Sequence, residues 1–419
     1  MAWGAAAESV RRAAGGGGDN SAGVMFSEAN VERLVKKLSR MRGAALKLGQ
    51  MMSIQDSNML PPALQTVLVR VQDSADYMPA SQRDSVLAAN LGPDWRSLFS
   101  EFTEIPMAAA SIGQVHRGVL ASNNQPVAIK VQYPGVASSI SSDLSNLGLL
   151  LTASKLLPKG LYLDKTIANA RTELAWECDY VREADAAKRF SMLLAGEADT
   201  FRVPRIIEQA SGAQVLTMEL MSGTAVTKMI PELTQEDRDF IGTAILGLCL
   251  REVAIYRFMQ TDPNWTNFLY NPHDKKIELL DFGASREYPE EFVQLYTSLL
   301  KAAAEGDREA VEALSVKLGY LTGMETKQMT QAHIDSILTL AEPFSKDAPE
   351  LYDFEKQTVT DRVRAQIPLM IRERLTPPPE ETYSLHRKLS GAFLLCARLQ
   401  SRVPCRKIFR EALGDGYEV

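Results

Sequence analysis

Several features that would assign the chain to other protein classes are missing from its 419 residues. No window of about 18 consecutive apolar residues occurs, so we expect no membrane-spanning helix. The formal net charge of −6 argues against nucleic acid as a partner, because nucleic-acid binding usually requires a basic surface. The four cysteines, at positions 178, 249, 396 and 405, form no C-x-x-C pair, which indicates a reducing compartment and no metal cluster. The hydrophobic content of 45% and charged content of 23% are typical of an ordinary globular protein.

The sequence does contain two acidic motifs in a telling order. Asn267 lies five positions after Asp262, and Asp281 opens a D-F-G tripeptide 14 residues after Asn267. Kinase-like folds use this spacing to place one catalytic carboxylate and two metal ligands around a nucleoside triphosphate. We therefore predict that Asn267 and Asp281 bind Mg²⁺, and that Asp262 orients or deprotonates the attacking hydroxyl or water. Either motif alone is common in turns, so the prediction depends on finding both behind an apolar strand pattern.

An upstream half of the site is also present. The V-A-I-K strand at residues 127–130 ends in Lys130, which we predict to pair with the phosphates of ATP or ADP. Against the kinase loop G-x-G-x-x-G-x-V, the preceding segment keeps the third glycine and the valine but has alanine at the first two glycine positions. The β-carbons of alanine keep the backbone farther from the phosphates and disfavour left-handed backbone conformations. The geometry of this loop over the phosphates should therefore differ from that of a protein kinase. The predicted nucleotide contacts of this alanine loop are Ala108, Ala109, Ala110, Ser111, Gly113 and Val115.

Lys130 needs an acidic partner on a helix. The stretch from Glu173 to Phe190 has a helical pattern rich in carboxylates, and we predict that Glu183 is the partner. The 53 positions from Lys130 to Glu183 exceed an ordinary strand-to-helix step, so residues 134–163 are predicted to form a helical insert.

The strand that follows the insert, residues 214–223, is expected to be the hinge that contacts adenine. Glu219 and Met221 are its predicted backbone contacts. In a helix near the end of the chain, His386, Arg387 and Lys388 are expected to lie on a helix flank.

The predicted fold class is α+β, a protein-kinase-like two-lobed fold with an N-terminal helical extension and a helical insert in the small lobe. A chain of this length suits such a unit. The expected regions are a flexible linker over residues 1–25, a helical extension over 26–99, a small lobe over 100–220 and a mainly helical large lobe over 221–419.

Four motifs together resemble the UbiB/ADCK family of atypical kinases, close to the mitochondrial branch implicated in coenzyme Q biosynthesis. They are Lys47-Leu-Gly-Gln50, the alanine loop, Glu177-Cys-Asp179 and Thr261-Asp-Pro-Asn-Trp-Thr-Asn267. The resemblance covers the chain from about residue 26 onward. It implies that Lys47, with Gln50, reaches into the nucleotide cleft and meets Glu177 and Asp179.

The resemblance also implies a setting. We expect an atypical kinase or ATPase that uses ATP or ADP with Mg²⁺ and supports coenzyme Q biosynthesis at the matrix face of the mitochondrial inner membrane. The implied partners are coenzyme Q biosynthesis proteins, lipid or quinone intermediates and an anionic membrane surface, and a homodimer stays open. Relatives of this branch carry a targeting segment and an anchoring helix upstream, so the chain is expected to begin after them or to be a fragment.

Departures from protein kinases narrow the predicted activity. Gln260 and Thr261 replace the His-Arg that precedes the catalytic aspartate of protein kinases, and no A-P-E follows Asp281. The chain passes from Gly283 almost directly into a helical run, which leaves no room for a peptide-docking activation segment. Phosphorylation of proteins in trans is therefore disfavoured.

Two other functional classes remain open at this point. A catalytically weak pseudokinase would use nucleotide as a conformational ligand and act as a scaffold or chaperone of a lipid-modifying complex. A small-molecule phosphotransferase resembling the aminoglycoside kinases shares the D-x-x-x-x-N logic and also lacks A-P-E.

Overall fold

The computed structural model describes residues 77–110, 112–154 and 162–414. The predicted linker, and the predicted helical extension as far as residue 76, lie outside these ranges. The predicted site residues Lys47, Gln50 and Ser111 also lie outside them. Within the described ranges, no helix is both long enough and apolar enough to cross a membrane.

A five-stranded antiparallel sheet forms the small lobe. Its strands are β1 (Phe99–Phe102), β2 (Ala108–Ala109), β3 (Gly113–Leu120), β4 (Pro126–Gln132) and β6 (Val215–Glu219), and α1 (Ala80–Leu91) packs on β4 and β6. The order is β1-β3-β4-β6, with β2 paired to β3. Because alternate side chains of a strand point to opposite faces, Val127, Ile129 and Val131 are buried in a cluster with α1. Lys130 therefore points to the other face, toward the cleft.

The described part of the predicted insert, residues 134–163, is mostly one helix, in agreement with its apolar spacing. Helix α2 (Val136–Ser154) follows β4 and packs against α3 (Leu163–Glu177), and α4 (Tyr180–Leu193) comes next. The single helix expected from Glu173 to Phe190 is thus two helices. Asp179 has extended backbone angles and accepts a hydrogen bond from the backbone amide of Arg182, which makes it the N-cap of α4. Aspartate is favoured at this position because its carboxylate satisfies a helix-terminal N–H, and this local preference overrides the helical pattern.

Short strands carry the functional loops of the large lobe. One sheet has the order β5-β10-β9-β7, and a separate pair consists of β11 and β8. These strands are β5 (Phe201–Arg202), β7 (Thr224–Ala225), β8 (Phe258–Gln260), β9 (Phe268–Asn271), β10 (Lys276–Leu279) and β11 (Ser285–Glu287). A one-turn helix, α5 (Val226–Met229), follows β7.

Helices make up most of the large lobe. They are α6 (Gln235–Ala254), α7 (Glu290–Glu305), α8 (Arg308–Lys317), α9 (Lys327–Ala341), α10 (Val359–Glu373), α11 (Glu380–Leu399) and α12 (Cys405–Leu413), and a small hairpin joins β12 (Tyr352–Asp353) to β13 (Arg402–Val403). Helix α6 begins with a capping box between Thr234 and Asp237 and packs against α11, α12 and β8. The buried face of α6 fixes the start of β8, which leads into the loop that carries Asp262.

Candidate active site

Lys130 and Glu183 meet at the centre of the cleft. The Lys130 Nζ donates to both carboxylate oxygens of Glu183 at 2.9 Å, although 53 positions separate the two residues. The ammonium also lies 3.7 Å from Asp281 Oδ2 and 5.0 Å from the centre of the Tyr180 ring. One strand, one helix and the D-F-G segment therefore converge on a single cation.

The charges at this point are unbalanced. Burial raises the pKa of Glu183 to about 7, and the Asp281 carboxylate adds to the increase while Lys130 opposes it. Burial alone would lower the pKa of Lys130, but the carboxylates of Asp281 and Glu183 raise it well above its usual value, so the ammonium stays charged. Two carboxylates thus share one ammonium, and a divalent cation beside Asp281 would relieve the excess negative charge.

The D-F-G segment is held against α4. The Asp281 Oδ1 accepts a hydrogen bond from the Gly283 amide at 2.9 Å, and the ring of Phe282 packs 5.2 Å from that of Phe190. Arg182, in the first turn of α4, donates to the Gly283 carbonyl at 2.9 Å and also to the Ser285 carbonyl. The helix that carries Glu183 therefore fixes the segment that carries Asp281.

The catalytic loop brings Asp262 and Asn267 together. The Asn267 Nδ2 donates to Asp262 Oδ2 at 2.8 Å, and the Asn267 carbonyl accepts from the Leu280 amide at 3.1 Å. A 3₁₀ turn over Trp265–Asn267, capped by the Asn264 side chain, sets this spacing. The amide nitrogen of Asn267 faces Asp262, so its amide oxygen is the atom suited to a metal. An amide oxygen and the Asp281 carboxylate are hard ligands of the kind that Mg²⁺ prefers, and the residues present fit this ion.

The described residues of the alanine loop pair as an antiparallel hairpin of β2 and β3. Ala108 pairs with Val115, and the Ala110 amide donates to the Gly113 carbonyl at 2.8 Å. None of Ala108, Ala109 and Ala110 has a positive φ. Gly113 is required for a different reason, because a β-carbon there would lie 2.4 Å from the Val131 carbonyl oxygen.

The predicted hinge residues follow the end of the sheet. The Glu219 amide donates to the Arg205 carbonyl at 2.9 Å, and its carboxylate pairs with Arg202 at 2.5 Å. The side chain of Glu219 is thus engaged between the lobes, while Met221 is buried just beyond it. The adenine contacts of both residues stay predictions.

The Glu177-Cys-Asp179 motif lies at the break between α3 and α4. Glu177 is the last residue of α3, and Asp179 is exposed at the start of α4. Between them, the Cys178 carbonyl accepts a hydrogen bond from Gln132 Nε2 at 2.8 Å. The motif therefore contacts the last residue of β4, two positions after Lys130.

The sequence interpretation missed two buried cations on α11. The helix-flank expectation holds for His386, which is exposed, and is wrong for Arg387 and Lys388, which are each 3% exposed. Arg387 pairs with Glu173 at 2.6 Å and donates to the Thr261 carbonyl at 3.4 Å. The sequence feature that could have indicated their burial is their position close to Leu385, at the edge of the apolar face of α11.

Comparisons with known proteins identify the family of the chain. The family model described as the ABC1 atypical kinase-like domain matches residues 70–315. "Atypical kinase COQ8, mitochondrial" of Schizosaccharomyces pombe is 55% identical over 97% of this chain and 66% of its own length. The Saccharomyces cerevisiae protein of the same description is 53% identical over 97% of this chain and 81% of its own length. "Atypical kinase COQ8B, mitochondrial" of Danio rerio is 50% identical over 92% of this chain and 61% of its own length.

A solved structure also resembles the chain. It is that of the Mycobacterium tuberculosis protein Rv3197 in complex with erythromycin, with a TM-score of 0.62, 25% identity, and coverage of 94% of this chain and 97% of that one. The family match and this likeness confirm the predicted kinase-like fold class. The chain spans only about two thirds of the length of the Schizosaccharomyces pombe relative. Its own sequence and fold nevertheless establish that it belongs to the ABC1 atypical kinase family, the UbiB/ADCK group that its motifs predicted.

Proposed function

We propose that this chain binds ATP or ADP with Mg²⁺ in the cleft and transfers or hydrolyses the terminal phosphoryl group. The carrying observation is the convergence of Lys130, Glu183 and Asp281 beside the Asp262–Asn267 pair. Five polar groups of the types that phosphoryl transfer requires meet there from one strand, one helix and two loops.

Each residue has a distinct task in this proposal. Lys130, oriented by Glu183, contacts phosphate oxygens, and Asn267 and Asp281 hold the metal. Bound Mg²⁺ supplies neutralisation of the phosphate charge. Asp262, held by the amide of Asn267, orients the attacking oxygen and accepts its proton.

The acceptor is water or a small molecule. Helix α7 begins at Glu290, nine positions after Asp281, and β11 fills the interval by pairing with β8. A peptide substrate would need a longer segment on which to dock. This short connection supports an ATPase or small-molecule kinase over a protein kinase.

The biological setting rests on the relatives and on the motif resemblance. Their descriptions call them mitochondrial atypical kinases. We propose that the chain supports coenzyme Q biosynthesis at the matrix face of the mitochondrial inner membrane. The proposed partners are coenzyme Q biosynthesis proteins, quinone or lipid intermediates and anionic lipid, and a homodimer is an open arrangement.

The test is phosphate release from ATP with Mg²⁺, with and without cardiolipin vesicles and a quinone-precursor mimic. Asp262→Asn should lower turnover about 100-fold or more, as expected for loss of a general base, with unchanged affinity for Mg-nucleotide. The matched control is Asp335→Asn, which removes a surface carboxylate paired with Arg308 in the large lobe and should leave turnover intact.

Two outcomes would replace the proposal. If Asp262→Asn restores coenzyme Q in a deficient yeast strain as well as the wild-type chain does, the chain acts as a scaffold. If a soluble hydroxylated compound is phosphorylated stoichiometrically and lipid has no effect, the chain is a small-molecule phosphotransferase.

A further inference from the structure

Gln260, two positions before Asp262, is held from two sides. Its backbone amide donates to Glu252 Oε1 at 3.3 Å, and its side-chain oxygen accepts a hydrogen bond from Lys388 Nζ at 2.7 Å. Glu252 lies on α6 and Lys388 on α11, so two helices remote in sequence meet at this one residue. The exposed fractions are 6% for Gln260, 1% for Glu252 and 3% for Lys388.

A small cavity connects this arrangement to the metal ligands. Its volume is about 10 Å³, which is room for about one water molecule. Its lining includes Glu252, Gln260 and Lys388 together with Asn267, Asp281 and Phe282. Because almost no water screens these buried side chains, the hydrogen bonds that Glu252 and Lys388 make with Gln260 are stronger than the same bonds at the surface would be.

The position of Gln260 also sets the relation between the two catalytic segments. Gln260 pairs with Ser285 in the β8–β11 ladder, just beyond the D-F-G tripeptide. The next residue, Thr261, donates through Oγ1 to the Ala284 carbonyl at 2.7 Å. A shift of Gln260 would therefore move Asp262 relative to Asp281.

We propose that Glu252 and Lys388 are positioning residues that act through Gln260 to hold Asp262 in place for phosphoryl transfer. This inference rests on the proposed function. A residue that only stabilises the core would change the free energy of unfolding. A positioning residue must also change turnover at saturating nucleotide, because the bound nucleotide then meets a displaced Asp262.

The experiment uses Lys388→Met, which keeps the aliphatic length and removes the charge, in the full chain. We expect kcat for ATP to fall about 10-fold or more, since small misplacements of reacting groups are costly, with KM for ATP little changed. Hydrogen exchange over residues 258–268 should become faster. Gln260→Ala should have the same effect, and adding Lys388→Met to it should cost no further activity, because both changes remove the same interaction.

The matched control is Arg251→Met. Arg251 precedes Glu252 on α6 and is half-buried, but it pairs with Glu197 at 2.6 Å, away from the catalytic loop. The Arg251→Met variant should have a lower free energy of unfolding, with kcat and hydrogen exchange over residues 258–268 unchanged. If Lys388→Met does not fold, the pair Glu252→Gln and Glu252→Leu carries the test. The side-chain amide oxygen introduced by Glu252→Gln can still accept the hydrogen bond from the Gln260 backbone amide, so this variant should retain more activity than Glu252→Leu.

Wild-type values of kcat and of hydrogen exchange in Lys388→Met and Glu252→Leu would overturn the inference, as would additive losses in the double variant. Hydrogen exchange does not depend on turnover. If the wild-type chain shows no turnover that requires Asp262, the proposed function fails, and the exchange rates over residues 258–268 still decide whether Lys388 positions the loop.

Discussion

Replacing Gly113 by alanine tests whether the alanine hairpin is seated directly on β4. A β-carbon at this position would lie 2.4 Å from the Val131 carbonyl oxygen and 3.0 Å from the Tyr180 hydroxyl. Ordinary contact begins at 3.4 Å, so the hairpin must move by about 1 Å away from a rigid backbone. Overpacking of this kind typically costs about 1–3 kcal/mol of unfolding free energy. Because the displaced segment is the one predicted to contact the phosphates, turnover should also fall, by up to about 100-fold.

The assays are urea denaturation and Mg-ATP turnover of purified protein. The matched control is Gly196→Ala, because a β-carbon there has no atom within 4 Å and the residue has no positive φ. That variant should be neutral or gain about 0.4–1 kcal/mol, since alanine restricts the unfolded chain. An unfolding free energy and a turnover rate of Gly113→Ala equal to those of the wild type would refute the close seating of the hairpin.

Three further predictions concern charge, coupling and the alanines. Burial raises the pKa of Glu252 from 4.5 to about 7. The contribution of this proton to the free energy of unfolding is therefore complete below pH 4.5 and is lost as the pH rises through 7. In denaturation experiments over this pH range, the free energy of unfolding of Glu252→Gln should decline less steeply than that of the wild type. Arg182→Met removes the hydrogen bonds to the Gly283 and Ser285 carbonyls, so turnover should fall about 10-fold. An unchanged rate would contradict the conclusion that α4 fixes the D-F-G segment. Ala109→Gly should change the preference between ATP and ADP in calorimetric titrations, because glycine permits closer approach to phosphates.

The Lys130–Glu183 pairing could be predicted because each partner has a strong local signal. The V-A-I-K strand predicts the lysine, and the carboxylate-rich helical pattern narrows the acidic partner to a few positions. The structure brings the two side chains together, and it also brings Asn267 beside Asp262. Their catalytic roles stay predictions.

Other features were hidden because they depend on distant partners. Arg387 and Lys388 resemble the solvated flank of an amphipathic helix. The burial of Arg387 depends on partners remote in sequence, above all Glu173, 214 positions away. The break between α3 and α4 depends on one cap, formed by Asp179, within a continuous helical pattern. The role of Gly113 in packing against Val131 requires knowledge of the strand register.

The buried Glu173–Arg387 ion pair connects helix α3 to α11 of the large lobe. A wide hinge motion of the two lobes would pull these opposite charges apart and expose them, at a free-energy cost that a freely opening cleft does not have. Replacement of ADP by ATP should then depend on local displacement of the alanine hairpin. The rate of this exchange should respond to substitutions in residues 108–113 more than to substitutions in the hinge.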